Sequence, residues 1–429
     1  MKGSIFLPDG VRVSLKMQEH TLLDMQTGAK AEWHRLRDVL VHEPGLEVFF
    51  ALLSPKNHLY ERFFDLGAAQ REHRRLCEVL HEDFGVRVHR LCNSILGGAE
   101  EMPGIRRALE ASAERLNPEA DPGPAARDSA HLLSIAILGA QGRKGGTALT
   151  ETMHNLYFMR DQQVCTDRGM VTGRMATRER RMEVEMTHLA LSALGADPVA
   201  QVLEGKMEGG DVIPAGDFAL VGCGVRTDMK GIAALMRGME FDEVAVVHEP
   251  LHPLIRGRDY MVSMHLDTYF NIAGDGVAVG NPVLLDRARV EVFVREGEGY
   301  RPEDGAQTTL AGYLGEKGYS IIPVTTLEQL CYASNFLCVR DHEAVAVDTG
   351  QIAPMMLERL KEKEAARPGM YAALLAQAEA DYRRLRAEAE FFPYKREVYA
   401  EGLEMTPVSL KCATGGYGGA HCMTCPLRR

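Results

Sequence analysis

The chain reads as an α/β protein built from many short elements, and three features predict this. From about residue 153 onward, apolar runs of strand length alternate with stretches at helical spacing. Residues 98–150 are richer in Ala, Leu and charge, and about 68–150 reads as an inserted helical subdomain, with 1–67 and 151–429 forming the α/β domain. Neither GxGxxG nor GxxxxGK[ST] stands at a strand-to-helix junction, so the alternation is not that of a nucleotide-binding fold.

Taken in order, residues 36–42, LRDVLVH, predict a buried strand, and the EPG that follows predicts a turn. Residues 68–83, AAQREHRRLCEVLHED, place apolar positions at helical spacing with charges between, as on a surface helix. GVRVHRL predicts the next strand. GIRRALEASAERL and AHLLSIAIL predict helices on either side of NPEADPGP. MVTGRM and DVIPAGDFALVGCGV are strand-like, RTDMKGIAALMRGM is a helix and FDEVAVVHE a strand. MVSMHLDTYFNIAGDGVAVG holds two strands around a turn at AGDG. GYLGEKGYS follows, and SIIPVTTLEQLCYASNFLCVR resumes the alternation. Residues 354–392 are strongly helical and rich in charge.

Apolar residues make up 45% of the 429 and charged residues 25%, enough for the large core of a soluble globular protein. A formal net charge of -11 opposes nucleic acid as a partner, because a phosphate backbone requires a basic stripe. The opening stretch is broken by Pro8, Asp9 and Arg12, so it lacks an uninterrupted signal-peptide core. No segment supplies the roughly 18 apolar residues of a membrane span. Nine cysteines form no small disulfide framework. These features together predict a cytoplasmic protein with reduced thiols.

Four polar clusters interrupt otherwise apolar elements. In HNLYFMRD, residues 154–161, Asp161 follows an aromatic run. It is either a strand-end turn aspartate or a carboxylate gripping a cation beside the wall of Phe158. In EGGD, residues 208–211, the paired glycines permit close approaches that a Cβ blocks. Alone, this motif reads as a turn flanked by the solvated charges of Glu208 and Asp211. In MHLDTYF, residues 264–270, strand alternation predicts His265 and Asp267 on one face. A histidine beside a same-face aspartate is a better acid–base candidate than a histidine alone.

The fourth cluster is GGYGGAHCMTCPLRR, in which Cys422 admits four readings. It has redox-pair spacing with Cys425, although no βαβ start lies nearby. It has zinc-ligand neighbours in Cys412, His421 and Cys425, although there is no second CxxC. It is the kind of small thiol commonly buried without a role. It is also a nucleophile candidate, which requires a base elsewhere in the chain, and His265 is the obvious one. The residues alone leave these readings open.

Together the clusters match a family pattern. LRDVLVHEPGLE, LLSPKNHLYERFFD, NLYFMRD, RRMEVEM, EGGDVIPAG, GCGVRTD, MHLDTYF and GGAHCMTCP occur in the order seen in the arginine deiminases, and the sequence resembles that family of the guanidine-modifying (pentein) superfamily. The resemblance implies a five-fold pseudosymmetric α/β propeller with an inserted helical domain. It implies Cys422 as nucleophile, His265 and Glu208 as the catalytic histidine and glutamate, and Asp161 and Asp267 as the guanidinium clamp. Asn155, Arg180 and Arg226 correspond to residues that hold the amino-acid end of arginine, with Phe158, Gly416 and Tyr417 also at the substrate.

The implied activity is hydrolysis of L-arginine to citrulline and ammonia through a cysteine thiouronium, with no metal or organic cofactor. The implied partners are a small guanidino substrate and further copies of the chain, with no nucleic acid and no membrane. The terminal glycines 415, 416, 418 and 419 are expected to let the loop close over the substrate. One position departs: the family usually carries an arginine five residues before the nucleophile, where this chain has Tyr417. A tyrosine hydroxyl donates a hydrogen bond but supplies no full charge. The departure keeps in view a deiminase of a different guanidino compound, and the residue set shared in outline keeps in view an amidinotransferase, in which an amine and not water is the acceptor.

Overall fold

Runs of four to six residues rich in Val, Leu, Ile and Ala make strands that are buried along nearly their whole length, and these strands set the architecture. The structure is a computed structural model that describes residues 4–6, 12–14, 25–52, 65–116, 128–139, 152–303 and 308–429. The opening stretch apart from a short strand pair, residues 53–64 of the LLSPKNHLYERFFD motif and the NPEADPGP segment lie outside the described residues. No described helix is long and apolar enough to cross a membrane.

One local arrangement recurs. A middle strand pairs antiparallel with one neighbour and parallel with the other. The middle strands are Asp38–Val41, Gly169–Thr172, Phe218–Cys223, Val277–Gly280 and Glu343–Val347. Each parallel pairing needs a crossover. Helices Leu66–Glu78, Glu183–Ala193, Met229–Leu235, Leu310–Glu316 and Thr349–Ala366 lie in those crossovers. The sheet around Asp38–Val41 takes Cys425–Arg428 on one edge and Arg87–Arg90 on the other, so it joins the two ends of the sequence.

The expectation of a five-fold pseudosymmetric propeller is corrected. The strands fall into separate open sheets, and none closes on itself among the described residues. The sheets are also unequal: the one containing Phe218–Cys223 has six strands, where four others have three. It grows because Arg289–Glu296 adds antiparallel to the edge of Glu243–His248 and then pairs with Gly299–Pro302 and Thr308–Thr309. The fold is a mixed α/β arrangement of open sheets.

A second correction concerns residues 264–270. The alternation in MHLDTYF predicts a strand, but Leu266–Thr268 is a single 3₁₀ turn with His265 at its cap, and the strand begins only at Phe270. The turn is held from afar, because Leu266 N donates to Asp211 Oδ1 at 2.9 Å. His265 and Asp267 therefore do not share a strand face.

Within 68–150, helix Leu66–Glu78 and strand Arg87–Arg90 belong to the sheet at the chain ends. Helices Leu91–Glu101, Pro103–Leu116 and Ser129–Leu138 pack with Glu183–Ala193 around a core of Ile95, Leu109, Leu133 and Met186. Gly98 permits this contact, since a Cβ there would lie 2.5 Å from Cβ of Ala193. Another core gathers Val39, Tyr157, Phe158, Leu330, Val345 and Cys422, so the terminal cysteine sits against packed apolar side chains.

Replacing Gly98 by Val forces the two helices apart. The expected loss is about 1–3 kcal/mol, read as a lower urea midpoint with an unchanged slope; an unchanged midpoint would contradict the close contact.

Candidate active site

Short loops at the ends of different sheets bring the four polar clusters together. Residues 152–166 are buried throughout. Arg160 N donates to the carbonyl of Cys422 at 3.1 Å, which ties the Asp161 turn to the terminal loop. In EGGD the glycines serve close packing. A Cβ at Gly209 would lie 2.2 Å from Arg160 O, and one at Gly210 would lie 2.9 Å from His265 Nδ1. Glu208 and Asp211 are buried, not solvated turn charges.

Cys422 is held by a side chain the sequence did not single out. Asn335 Oδ1 accepts from Cys422 N at 3.1 Å and from Gly419 N at 2.8 Å, while Asn335 Nδ2 donates to Cys422 Sγ at 3.2 Å. The thiol lies 3.5 Å from Asp267 Oδ2. That oxygen also accepts from His421 Nδ1 at 2.8 Å. Behind His421, Glu32 lies 3.7 Å from Nε2 and pairs with Arg160 at 3.2 Å.

On the facing side, His265 Nε2 donates to Glu208 Oε2 at 2.8 Å, and its Nδ1 lies 3.8 Å from Asp161 Oδ1. Arg180 donates to Asp161 Oδ2 at 2.7 Å and to Glu183 Oε2 at 2.9 Å. Arg226 stands 3.7 Å from Glu208 Oε1, with its guanidinium 4.6 Å from the centre of the Tyr260 ring.

A cavity of about 280 Å³, counted with the solvent it opens to, is lined by Asn155, Phe158, Asp161, Arg180, Met264, His265, Gly416, Tyr417 and Cys422. Glu208, Asp267 and Arg226 stand immediately behind this wall, against His265, Cys422 and Glu208 respectively. All eleven residues singled out from the sequence thus converge on one place. Arg180 is engaged with two carboxylates there, next to the position expected for a guanidinium. Asn335 and His421 complete the set. His421 stood in view as a metal-ligand candidate beside Cys422, whereas nothing in YASNF set Asn335 apart.

The charge balance is unusual for a buried site. Asp161 Oδ1 and Asp267 Oδ1 are buried without a hydrogen-bond partner among the described residues, and so are Asn155 Oδ1 and all three guanidinium nitrogens of Arg226. Such groups ordinarily find partners, and those of Asp161 and Asn155 belong to residues that line the cavity. Burial alone pushes His265 down, but the charge of Asp161 and the hydrogen bond to Glu208 outweigh it and raise the imidazole to about 10. Burial pushes Glu208 up, but the His265 hydrogen bond and the Arg226 charge outweigh it and bring it to about 2. Burial also pushes Asp267 up, and the hydrogen bond and charge of His421 hold it below its usual range. Cys422 is driven well above an ordinary thiol, first by burial and then by the charges of Asp267 and Asp161.

Asp161, Glu208 and His265 are the one set of three among the described residues whose ligand atoms lie within 4.8 Å of one another. Both nitrogens of His265 already face carboxylates, and the guanidinium groups of Arg180 and Arg226 stand beside the set, which opposes a metal cation there. Cys412, His421, Cys422 and Cys425 do not form such a set among the described residues. Cys422 and Cys425 are both free thiols.

The glycine loop is shaped by contact. A Cβ at Gly416 would lie 2.5 Å from Tyr157 Oη and 2.8 Å from Phe158 Cε2. One at Gly418 would lie 2.5 Å from Phe158 Cε1 and 2.7 Å from Cys422 Cβ. Tyr417 between them holds a left-handed φ of 74°.

A family model described as arginine deiminase matches residues 133–429. An arginine deiminase of Halobacterium salinarum is 25% identical, covering 98% of this chain and 98% of its own length. One of Rhodococcus jostii is 26% identical, covering 94% of this chain and 97% of its own. Among solved structures, a DDAH mutant of Pseudomonas aeruginosa complexed with citrulline matches 91% of this chain and 99% of its own at 14% identity, with a TM-score of 0.49.

The electrostatics predict that Cys422 stays a thiol at neutral pH in the free protein. Its alkylation by iodoacetamide is expected to be slow near pH 7 and to keep rising beyond about pH 9, past the range of an unperturbed thiol. Rapid, pH-independent alkylation of Cys422 below pH 8 would contradict the assignment of its neighbours.

Proposed function

Since the chain belongs to the arginine deiminase family, we propose that it hydrolyses the guanidinium of free L-arginine to citrulline and ammonia. One observation carries the reading. Two buried carboxylate oxygens, on Asp161 and Asp267, have no hydrogen-bond donor among the described residues beside the cavity that Cys422 lines, while the buried guanidinium of Arg226 makes no hydrogen bond among them and stands 3.7 Å from Glu208. The first two suit a planar cation and the last suits an anion, so the site matches a molecule bearing both.

In the proposed reaction the guanidinium docks on Asp161 and Asp267. Its positive charge cancels the field that keeps Cys422 protonated and draws Asp267 away from the thiol, whose proton leaves to solvent. The thiolate adds to the central carbon. His265, already imidazolium, donates its proton to a departing amino group, ammonia leaves, and an S-alkylthiouronium remains. The now neutral His265 takes a proton from water as the oxygen adds to the same carbon. Collapse breaks the C–S bond, the hydroxyl proton returns to sulfur, and a ureido product forms. Glu208 supports the charged imidazole in the first half of the cycle. Every group in this scheme is supplied by the chain.

Tyr417 supports a second reading within the same chemistry. It lines the cavity where the family usually has an arginine, so a guanidino compound with a different far end is the alternative substrate. Purified protein is incubated with L-arginine, agmatine, 4-guanidinobutyrate and N-methylated arginine without an amine acceptor, and ammonia and product mass are read. Citrulline and ammonia from arginine are expected, with a loss of at least about a thousandfold in Cys422→Ala. Turnover of another guanidine alone would move the substrate assignment to the second reading. Turnover only after an amine is added would replace hydrolysis by amidino transfer.

Arg226→Gln tests the far end separately. Removing a buried charged partner costs about 2–5 kcal/mol, so kcat/KM for arginine is expected to fall by at least about thirtyfold and that for agmatine, which lacks the carboxylate, by much less. Equal losses for both substrates would assign Arg226 to Glu208 alone.

A further inference from the structure

A second thiol outside the cavity stands in a charged row of its own. Cys92 is the second residue of helix Leu91–Glu101 and is partly exposed. Its Sγ lies 3.6 Å from Nδ1 of His42, and Nε2 of the same ring lies 3.1 Å from Oε1 of Glu47. His42 follows strand Asp38–Val41, and Glu47 lies in the first turn of helix Leu46–Leu52. Three elements thus converge to align thiol, imidazole and carboxylate. His42 and Glu47 are buried, and Glu47 Oε1 also accepts from Gly45 N at 2.6 Å, which fixes the carboxylate.

We propose that Cys92 is a modification site, a sulfur activated by His42 and Glu47 that exchanges with small-molecule disulfides to form a mixed disulfide. The thiol proton leaves to solvent, and the imidazolium of His42, held by Glu47, faces the thiolate that remains. The sulfur attacks one sulfur of the disulfide, a new S–S bond forms as the old one breaks, and the other half leaves as a thiolate. Free thiol reverses the exchange. The first-turn N–H groups of the helix favour negative charge at the same sulfur.

The surroundings support the row. Burial alone pushes His42 down, but its two partners, Cys92 and then Glu47, outweigh it and raise the ring to about 10. The adjacent Glu43 is paired with Arg74 at 2.7 Å and Arg90 at 3.2 Å, so its charge is matched. His73, buried nearby, is pushed by burial to about 3 and is neutral. The other cysteines differ. Cys77 also meets a histidine, His73, at 3.8 Å, but it is buried and pushed up to about 12. Cys223, partly exposed like Cys92, is pushed up by burial and by the carboxylates of Asp211 and Glu291. Cys422 faces carboxylates too.

The test exposes the full-length protein at neutral pH to oxidised glutathione and to a dipyridyl disulfide, and follows each cysteine by peptide mass. Cys92 is expected to be modified first, at least ~10-fold faster than Cys223 or Cys412. His42→Gln should slow modification of Cys92 about tenfold, and Glu47→Gln should slow it less. The second variant keeps the shape of the side chain and reads the same relay if the first fails to fold. Modification of Cys92 at the rate of Cys223 and Cys412, or an unchanged rate in the folded variants, would overturn the proposal.

Discussion

The site depends on buried negative charge that the protein leaves partly unmatched. Asp161, Glu208 and Asp267 are almost completely removed from water around one cavity. Arg180, Arg226, His265 and His421 answer much of that charge, but one oxygen each on Asp161 and Asp267 has no donor among the described residues. An unsatisfied buried acceptor costs about 1–3 kcal/mol, so the surrounding fold must hold these groups against collapse onto their neighbours. That explains the depth of the support. His421 occupies Asp267 Oδ2, and Arg160, paired to Glu32, also binds the carbonyls of His421 and Cys422. Asn335 pins both the nucleophile candidate and the loop before it.

The same constraint accounts for the state of the thiol. Carboxylates that suit a cation are poor neighbours for a thiolate, so Cys422 is protonated until positive charge arrives. In the proposed reaction the substrate is therefore part of the activation of its own nucleophile. The glycine loop belongs to this logic as well. Gly416 and Gly418 are small because Phe158, Tyr157 and Cys422 press against their α-carbons, a requirement of close packing that holds whether or not the loop moves.

Much of the strand and helix pattern was legible because it rests on local spacing. LRDVLVH, GVRVHRL, FDEVAVVHE and the helices around residues 104–116 and 130–138 form where their apolar periodicity predicts. What failed was decided at a distance. MHLDTYF alternates like a strand, yet the carboxylate of Asp211, more than fifty residues away, caps Leu266 and turns the backbone over. EGGD reads as a solvated turn because nothing local reveals that Glu208 meets His265 and Asp211 meets Thr227. The sheet arrangement escaped for a related reason: whether a sheet stays open or gains Arg289–Glu296 on its edge depends on which strands meet, which no strand carries in its own sequence. Asn335 was invisible because its importance is purely positional.

These groups differ in how deeply they are built into the fold. Asp161, Glu208, His265 and Cys422 come from four loops, each leading into a different sheet, and they are cross-tied by buried hydrogen bonds. A change in any one disturbs a partner that has no water to turn to. Tyr417 differs. It is only partly buried, sits on the cavity wall between two glycines and holds a left-handed backbone conformation. Arg226 lies between the two regimes: it is buried beside Glu208, yet none of its guanidinium nitrogens is hydrogen-bonded. Its ion pair with Glu208 ties it to the same buried charge as the rest of the site.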